Sequence, residues 1–471
     1  MDGRRILISP LNWGFGHAGR MIPLAAELKR RGNEVIFGVD KSLIPLVRSE
    51  LPGISVTEIR GLRIRYSRHL PQYICIFLQL PRIMVASVRE YYDLRRLASR
   101  LLPDLIISDS RFGFRHRKIC SVYVTHQLRI AFPVWLRLME PLGVRLHRMI
   151  SSRFDHCLVP DYPGPANLSG RLSHDLPLPE NICYCGPLSR FGGTAGSVVS
   201  TPATARNAND TSTHGASAHD TSTYDTSTPG TTVAVASATS GLSESASTAT
   251  SANTATSSSP AGSVSASATS GRKPPRHPFC CLIMSGPEPQ RSILLEKVTA
   301  AVTEMPLVIL STTPLHPEST GNQEITVVTN PDTATIRSYL LEAALIISRA
   351  GYTTIMELAS LNRGAILIPT PGQTEQEYLG MYLNGRLGFV TVSQRDIMPA
   401  APRRHSSTAD ALTGFSNNPA DLFTNSNPLV SGVEPPGVAS PDRKTKHAGA
   451  ELPDAAPLLE KALDVLLEKE E

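Results

Sequence analysis

The sequence predicts an α/β protein made of two Rossmann-like domains that face each other across a cleft. Three observations lead to this fold class: a strand–helix–strand pattern opens the chain, a second series of strands and helices begins at Phe279, and a low-complexity stretch separates the two. A chain of 471 residues has room for such an arrangement, since domains average about 150 residues.

The first domain is expected over residues 1–191. "RRILIS" and "NEVIFGVD" are typical of strands, and "RMIPLAAELKRRG" between them is typical of a helix with basic residues in its last turn and Gly32 as its stop. Three later apolar runs end in polar residues, as buried parallel strands do at the functional edge of a sheet: "DLIISD", "CSVYVTHQ" and "FDHCLVPD".

Two low-complexity insertions are expected, at residues 192–276 and 399–453. The first is dominated by Ser, Thr, Ala and Gly and repeats "DTST" three times. Such a composition buries too little apolar area to offset the ordering entropy, so we expect disorder. An O-glycosylated stalk is the alternative, and it requires a secretory route that no signal peptide at the N-terminus indicates.

The second domain is expected over residues 277–398, where strand-like runs such as "FCCLIMSG", "PLVILST" and "GAILIPTP" alternate with helical segments. "APLLEKALDVLLEKEE" then predicts an amphipathic helix within residues 454–471.

Charge is unevenly distributed along the chain. Residues 1–191 carry 28 Lys and Arg against 15 Asp and Glu, a net charge of +13, and the remainder carries −8. A basic first domain suits an anionic partner such as a phosphate or an acidic lipid, or is simply a solvated basic surface. Seven cysteines without metal-ligand spacing indicate reduced thiols and a cytoplasmic protein. No apolar run reaches the ~18 residues that span a bilayer.

The loop "NWGFGHAGR" after the first strand contains the first candidate site. Gly14 and Gly16 allow a ligand to approach the backbone, and the following helix N-terminus offers unpaired N–H groups. His17 lies at the sheet edge where ligands bind in open α/β folds, and an ordinary imidazole can act as a general base at neutral pH. From spacing alone His17 is equally well a cap of the loop.

Asp109, His126 and Gln127 follow later strands of the same sheet, so they could line the cleft or only cap strand ends. Asp109 with His17 would make a base and the group that orients it.

The second domain offers a shorter turn, "MSGPEPQR". Ser285 and Gly286 could donate to a phosphate, and Arg291 could compensate for two prolines that lack an N–H. A plain structural turn is the alternative.

"SRAGYTTIMEL" places Arg349 and Gly351 between a strand and a helix that begins near Thr353 or Thr354. Glu357 lies one turn inside, where a carboxylate can accept two hydrogen bonds from a ribose diol. Thr354 and Glu357 also fit a capping box, which the spacing alone favours.

The loop "TPGQTEQEYL" brings Gln373, Glu375, Gln376 and Glu377 to the same edge. Amides and carboxylates without aromatic platforms suit sugar hydroxyls better than nucleic-acid bases, so no nucleic-acid partner is expected.

Together these segments resemble glycosyltransferase family 28, which includes the MurG-type N-acetylglucosaminyltransferases and the diacylglycerol galactosyltransferases. The stretch from Ser348 to Leu379 is similar to the family's donor-binding segment, "NWGFGHAGR" to its first glycine loop, and "CGPLSRF" to a bacterial MurG-like subgroup. The resemblance covers residues 4–191 and 279–395.

The resemblance implies a GT-B fold and an inverting, metal-independent transfer of a hexose or N-acetylhexosamine from a nucleotide sugar, with UDP as the expected nucleotide and no cofactor. It implies that Glu357 binds the ribose, and that Arg349, Gly351 and Thr353 lie at the nucleotide. Ser285 and Gly286 would contact the phosphates, Gln376 and Glu377 the donor sugar, and His17 the acceptor.

Three functions are left open by the sequence: a glycosyltransferase with a hydroxyl acceptor that is lipid-linked, a sugar-nucleotide epimerase that uses Glu375 or Glu377, and a non-catalytic nucleotide-sugar-binding protein. The arginines near "YICIFLQL" favour a peripheral position on the inner face of the cell membrane. Nothing in the sequence sets the oligomeric state.

Overall fold

The computed structural model describes residues 3–12, 15–61, 72–176, 180–192, 264–267, 273–315, 324–399 and 452–468. It confirms the predicted fold class, with two parallel sheets of seven described strands each, flanked by helices.

The first sheet begins with a β-α-β unit and continues through a long helical segment. Its elements are β1 (Arg5–Pro10), α1 (Phe15–Arg30), β2 (Glu34–Val39), α2 (Ile44–Glu50), β3 (Ser55–Glu58), α3 (Gln72–Leu78), α4 (Leu80–Leu101), β4 (Leu105–Asp109), β5 (Cys120–Val124), α5 (Glu140–Ser151), β6 (His156–Val159) and β7 (Ile182–Tyr184). The strand order is β3-β2-β1-β4-β5-β6-β7. Buried Ile and Leu on β1 and β4 explain the apolar runs of the sequence, because strands inside a parallel sheet are covered on both faces.

The second sheet repeats this plan. Its elements are β8 (Val264–Ser267), β9 (Cys280–Met284), α6 (Gln290–Ala301), β10 (Leu307–Ser311), β11 (Ile325–Thr329), α7 (Thr333–Glu342), β12 (Leu345–Ser348), α8 (Tyr352–Ser360), β13 (Ile366–Leu367), α9 (Thr374–Leu383) and β14 (Val390–Thr391). The order β14-β13-β12-β9-β10-β11-β8 places β9 beside β12, as β1 lies beside β4 in the first sheet.

Most of the two predicted insertions, 192–276 and 399–453, lies outside the described residues. Within the first of them β8 pairs in parallel with β11, Val264 opposite Ile325. This piece differs from the predicted linker because strand pairing at a sheet edge uses backbone groups and does not require apolar side chains.

The last helix, α10 (Ala456–Leu467), packs onto the first domain although it follows the second in the chain. Leu459, Leu463 and Leu466 enter the core formed by α1 and the first sheet, and Arg31 donates to Asp464 at 2.6 Å. The chain therefore returns to the first domain at its end, and Gly186 of that domain packs against Ala455, the residue before α10.

His147 on α5 is buried against Tyr123 and Phe112, with ring centroids 5.8 and 6.4 Å away. Among the described residues its Nδ1 has no hydrogen-bond partner. Burial lowers the pKa of His147 to about 4, so a proton binds the unfolded chain more tightly than the folded one.

We expect His147 to make stability depend on pH. Its contribution is constant above pH ~6.5 and falls by about 1.4 kcal/mol per unit as the pH drops towards 4, because only the unfolded state takes up the proton in that range. Urea denaturation between pH 4 and 7 measures it. His147→Phe should flatten the slope relative to wild type, and His277→Gln, at an exposed histidine, should not. Equal slopes in all three proteins would contradict the expectation.

Candidate active site

The predicted site residues gather at the topological switch points of the two sheets. In the first sheet the strand order reverses between the adjacent parallel strands β1 and β4, and in the second between β9 and β12. Ligands of open α/β sheets bind outside the carboxyl ends of the strands at these points. Asp109 ends β4, His17 lies in the first turn of α1 after β1, and Ser285 and Gly351 follow β9 and β12.

His17 and Asp109 form a pair on the first-domain side. His17 Nδ1 lies 3.0 Å from Asp109 Oδ2, and the carboxylate is completely buried. Burial alone would raise the pKa of Asp109, but the charges of Arg20 and His17 outweigh it and hold the pKa well below its usual range. Asp109 is therefore a permanent carboxylate that orients the imidazole.

Arg20, on α1, connects this pair to the rest of the site. Its Nε donates to Asp109 Oδ2 at 3.0 Å, Nη2 donates to Asp109 Oδ1, and Nη1 lies 2.8 Å from His126 Nδ1. The side chain is only 1% exposed. The sequence analysis did not identify Arg20. Its helical spacing from His17 was the available signal, because residues i and i+3 share a helix face.

His126 links the two domains. A guanidinium can only donate, so His126 Nδ1 accepts from Arg20 and Nε2–H donates to Glu375 Oε1 of α9 at 2.8 Å. Its ring stacks on Tyr352 of α8 with centroids 4.2 Å apart and planes 2° apart. Burial lowers the pKa of His126, which keeps it neutral between the two charges.

This arrangement corrects the assignment of His126 to the acceptor. Both ring nitrogens and one face are occupied by protein groups, so the ring has no polar atom left for a ligand. Of the other predicted acceptor-side residues, Gln127 is half-buried beside it. The Gly16 carbonyl accepts from Thr353 Oγ1 at 3.3 Å, and Gly14 lies outside the described residues.

The second-domain side is dominated by the N-terminus of α8. Gly351 is its N-cap, and among the described residues no side chain caps this end. The capping box predicted for Thr354 and Glu357 is wrong, because the helix starts at Tyr352 and Thr354 is its third residue. A Cβ on Gly351 would meet no atom within 4 Å, so this helix end opens onto free space.

Glu357 instead accepts from Arg190 Nε at 2.7 Å. Arg190 follows the last strand of the first domain and packs against Gly19 of α1. Its Nη1 reaches Thr333 Oγ1 at 3.5 Å, and Thr333 donates to Glu50 of α2 at 2.6 Å. The carboxylate assigned to the ribose is thus one end of a polar chain across the interface, with one oxygen held by Arg190.

Arg349 differs from its predicted position at the nucleotide. Its guanidinium is buried and donates to the carbonyls of Gln290 at 2.5 Å and Ile368 at 3.3 Å. Burial lowers the pKa of Arg349 to about 10. Its role in the structure is to join α6 to the strand after α8, and it has turned away from the cleft.

The turn after β9 keeps a small open cradle. Gly286 has φ +94°, and a Cβ there would meet nothing within 4 Å. Ser285 beside it is half-buried. Arg291 is held by Glu288 at 3.0 Å and by Thr313 at 2.6 Å, which draws it towards its own loop.

The residues predicted to contact the donor sugar, in and after the loop before α9, bond to the backbone of that loop instead. Gln376 Oε1 accepts from Thr370 N at 2.9 Å, and Glu377 accepts from Gly372 N at 2.7 Å, so both shape the loop. Gln373 occupies the N-cap position without a side-chain bond to the helix. Glu375, excluded from the predicted donor set, is the residue that reaches across to His126.

The described residues contain no group of three or more His, Cys, Asp and Glu side chains that could hold a metal ion. The helices in the same part of the chain include none with the length and hydropathy of a membrane span.

Comparisons with known proteins show similarity to glycosyltransferases. Residues 311–400 match the Glycosyltransferase family 28 C-terminal domain. A curated relative from Methanosarcina mazei, described as an uncharacterized glycosyltransferase, is 26% identical over 196 residues, 40% of this chain and 51% of the relative. The chain thus spans about half the length of that relative. These matches support a glycosyltransferase of the GT-B type.

Solved structures of similar architecture include two antibiotic glycosyltransferases. The calicheamicin glycosyltransferase CalG4 is 12% identical with a TM-score of 0.49, over 85% of this chain and 88% of that one. The spinosyn rhamnosyltransferase SpnG, complexed with thymidine diphosphate, is 14% identical with a TM-score of 0.48, over 82% and 86%. Because these identities and TM-scores are low, the fold is assigned from the strand orders of the two sheets and not from the similar structures.

Proposed function

We propose that the protein is an inverting, metal-independent glycosyltransferase that moves a hexose or N-acetylhexosamine from a UDP-sugar to the hydroxyl of a lipid-linked acceptor. The observation that carries this proposal is the His17–Asp109 pair beside the uncapped N-terminus of α8, where the carbonyl of Gly16, next to His17, accepts from Thr353 Oγ1 at 3.3 Å. A base on one wall and an anion-binding helix end on the other are what glycosyl transfer from a nucleotide sugar requires.

In the proposed reaction, His17 Nε2 takes the proton of the acceptor hydroxyl while Nδ1–H bonds to Asp109. The acceptor oxygen forms a bond to the anomeric carbon, and the bond from that carbon to the diphosphate oxygen breaks. The N–H groups at the start of α8 and the turn at Gly286 stabilise the negative charge on the departing diphosphate. Arg349 takes no part, because its side chain is buried and its Nη1 and Nη2 donate to backbone carbonyl groups.

A panel of UDP, GDP and dTDP sugars tests the donor, since a ligand that binds the folded state raises the melting temperature. We expect UDP sugars to give the largest shift. If no nucleotide sugar raises the melting temperature, the proposal is contradicted.

Glu357→Gln should weaken UDP binding by roughly tenfold or more, because a hydrogen bond to a charged group contributes about 1.5–3 kcal/mol. Isothermal titration measures this loss. Arg190→Met is the matched control, since it breaks the same ion pair and keeps the carboxylate. An equal loss in both variants would assign the effect to the broken pair and contradict ribose binding by Glu357.

The acceptor class rests on an apolar face of the first domain. Large side chains of α3, α4, α5 and the turn Val134–Met139 are exposed there, with Leu138 at 94% and Phe77 at 72%. Tyr73 and Trp135 join the two parts, with ring centroids 6.1 Å apart. Exposed arginines on the same helices complete the face: Arg82, Arg89, Arg137, Arg145 and Arg148. Apolar side chains with a basic rim suit an anionic lipid surface.

We expect the protein to sediment with vesicles that contain anionic lipid and to be released as salt increases, since each basic residue near such a surface contributes about 1 kcal/mol. Replacing Phe77 and Leu138 by Ser should reduce binding. Replacing Met381 by Ser, at a 71% exposed position of the second domain, should not. No sedimentation at low salt would argue against the lipid-linked acceptor.

The epimerase alternative requires a carboxylate that is available to the sugar. Glu375 is bonded to His126 and Glu377 to the Gly372 amide, so neither is presented for that chemistry in this structure. The transfer reaction is therefore the function that the geometry supports best.

A further inference from the structure

Ser110 lies beside the His17–Asp109 pair and contacts none of the reacting atoms of the proposed transfer. It directly follows β4 and has a left-handed backbone conformation, with φ +57°. Residues other than glycine adopt this conformation at a cost, so the surrounding structure must hold it. The conformation brings Ser110 Oγ within 3.2 Å of Arg20 Nη2 and 3.1 Å of Asp109 Oδ1.

Arg20 Nη2 has more hydrogen-bond acceptors in reach than it has hydrogens, and the Ser110 hydroxyl is one of those acceptors. Nη2 carries two hydrogens and lies near three acceptors: Asp109 Oδ1, Ser110 Oγ at 3.2 Å and His17 Nδ1 at 3.0 Å. Asp109 takes one hydrogen. The other goes either to Ser110 or to His17.

The two choices give His17 opposite tautomers. When Ser110 accepts, His17 Nδ1 carries a proton that it donates to Asp109 Oδ2, 3.0 Å away, and Nε2 keeps a free lone pair. When His17 Nδ1 accepts from Arg20, the proton of the neutral ring must be on Nε2. The first choice satisfies every donor in the group, because the Ser110 hydroxyl can also donate to Asp109 Oδ1.

We propose that Ser110 is a positioning residue that selects the base-competent tautomer of His17 by accepting the second Nη2 hydrogen of Arg20. This inference rests on the proposed function, in which His17 Nε2 takes the proton of the acceptor. Ser110 touches no reacting atom and acts only through Arg20 and His17. In Ser110→Ala the remaining acceptor in reach, among the described residues, is His17 Nδ1.

Nuclear magnetic resonance of labelled histidine reports the tautomer of His17 directly, whether or not the protein transfers sugar. Histidine is labelled with ¹⁵N, and the His17 signals are assigned by their absence from His17→Gln. Spectra are recorded at about pH 8, where an ordinary imidazole is neutral. Wild type should show the proton on Nδ1, and Ser110→Ala should shift it towards Nε2. Ser110→Gly also lacks the hydroxyl and relieves the backbone, so an equal shift assigns the effect to Oγ. Ser152→Ala, at an exposed serine, should change nothing.

Turnover provides the second readout. Ser110→Ala should lower kcat roughly fivefold with KM for the donor unchanged, the ratio expected for one hydrogen bond. A wild-type signal with the proton on Nε2, or an unshifted signal in both Ser110 variants, would overturn the inference. A tautomer shift in a protein that transfers no sugar would support Ser110 as the selector and count against the proposed function.

Discussion

Replacing His17 by alanine is expected to lower kcat for sugar transfer by a factor of about 10²–10⁴, the usual contribution of a general base. Nucleotide binding should be retained, because the nucleotide is proposed to contact the second domain and His17 lies on the first. Steady-state kinetics with a fixed donor and varied acceptor, together with titration of UDP, separates the two effects.

His277→Ala, at an exposed histidine away from the cleft, is the matched control and should retain wild-type turnover. If His17→Ala transfers sugar at the wild-type rate, His17 takes no part in the reaction. If it loses UDP binding as well, His17 belongs to the donor site.

Replacing Asp109 by leucine is expected to destabilise the protein by about 3–5 kcal/mol, since it leaves the Arg20 guanidinium buried without its carboxylate partner. Transfer should be lost too, because the imidazole loses the group that orients it. Urea denaturation and the transfer assay measure the two consequences.

The double variant Arg20→Met, Asp109→Leu distinguishes stability from catalysis. Replacing a buried ion pair by apolar side chains is often neutral or stabilising, so the double variant should recover most of the lost stability and remain inactive. Recovery of activity along with stability would show that Asp109 has a structural role only.

The architecture could be predicted because local patterns determine it. Apolar runs that end in polar residues mark the parallel strands, and the strand-to-helix turns place His17, Asp109, Gly286 and Gly351 at the edge where ligands bind. Their proximity follows from topology. None of it requires knowledge of individual side-chain contacts.

The pairing of charges could not be predicted, because it joins residues far apart in the chain. Arg20 reaches Asp109, Arg190 reaches Glu357, and His126 reaches Glu375. The first pairing depends on how α1 packs against β4, and the other two depend on how the two domains pack. Spacing along one helix suggested instead that Glu357 caps its own helix, but α8 begins at Tyr352, so Glu357 lies too far inside the helix to reach its first turn.

The direction of the Arg349 side chain could not be predicted either. Its position between strand and helix suggested a nucleotide contact, but the side chain turns inwards and donates to carbonyl groups of the core. A sequence places the Cα of such a residue at the sheet edge. The direction of a long, flexible side chain is decided by unpaired carbonyls nearby.

The most direct measurement of the central proposal is an incubation of the full chain with labelled UDP-sugars and a bacterial lipid extract, beside His17→Ala. A sugar-dependent label in the lipid fraction, present with wild type and absent with His17→Ala, is the expected result. Interconversion of sugars on UDP without an acceptor, or UDP binding with no turnover in any extract, would contradict it.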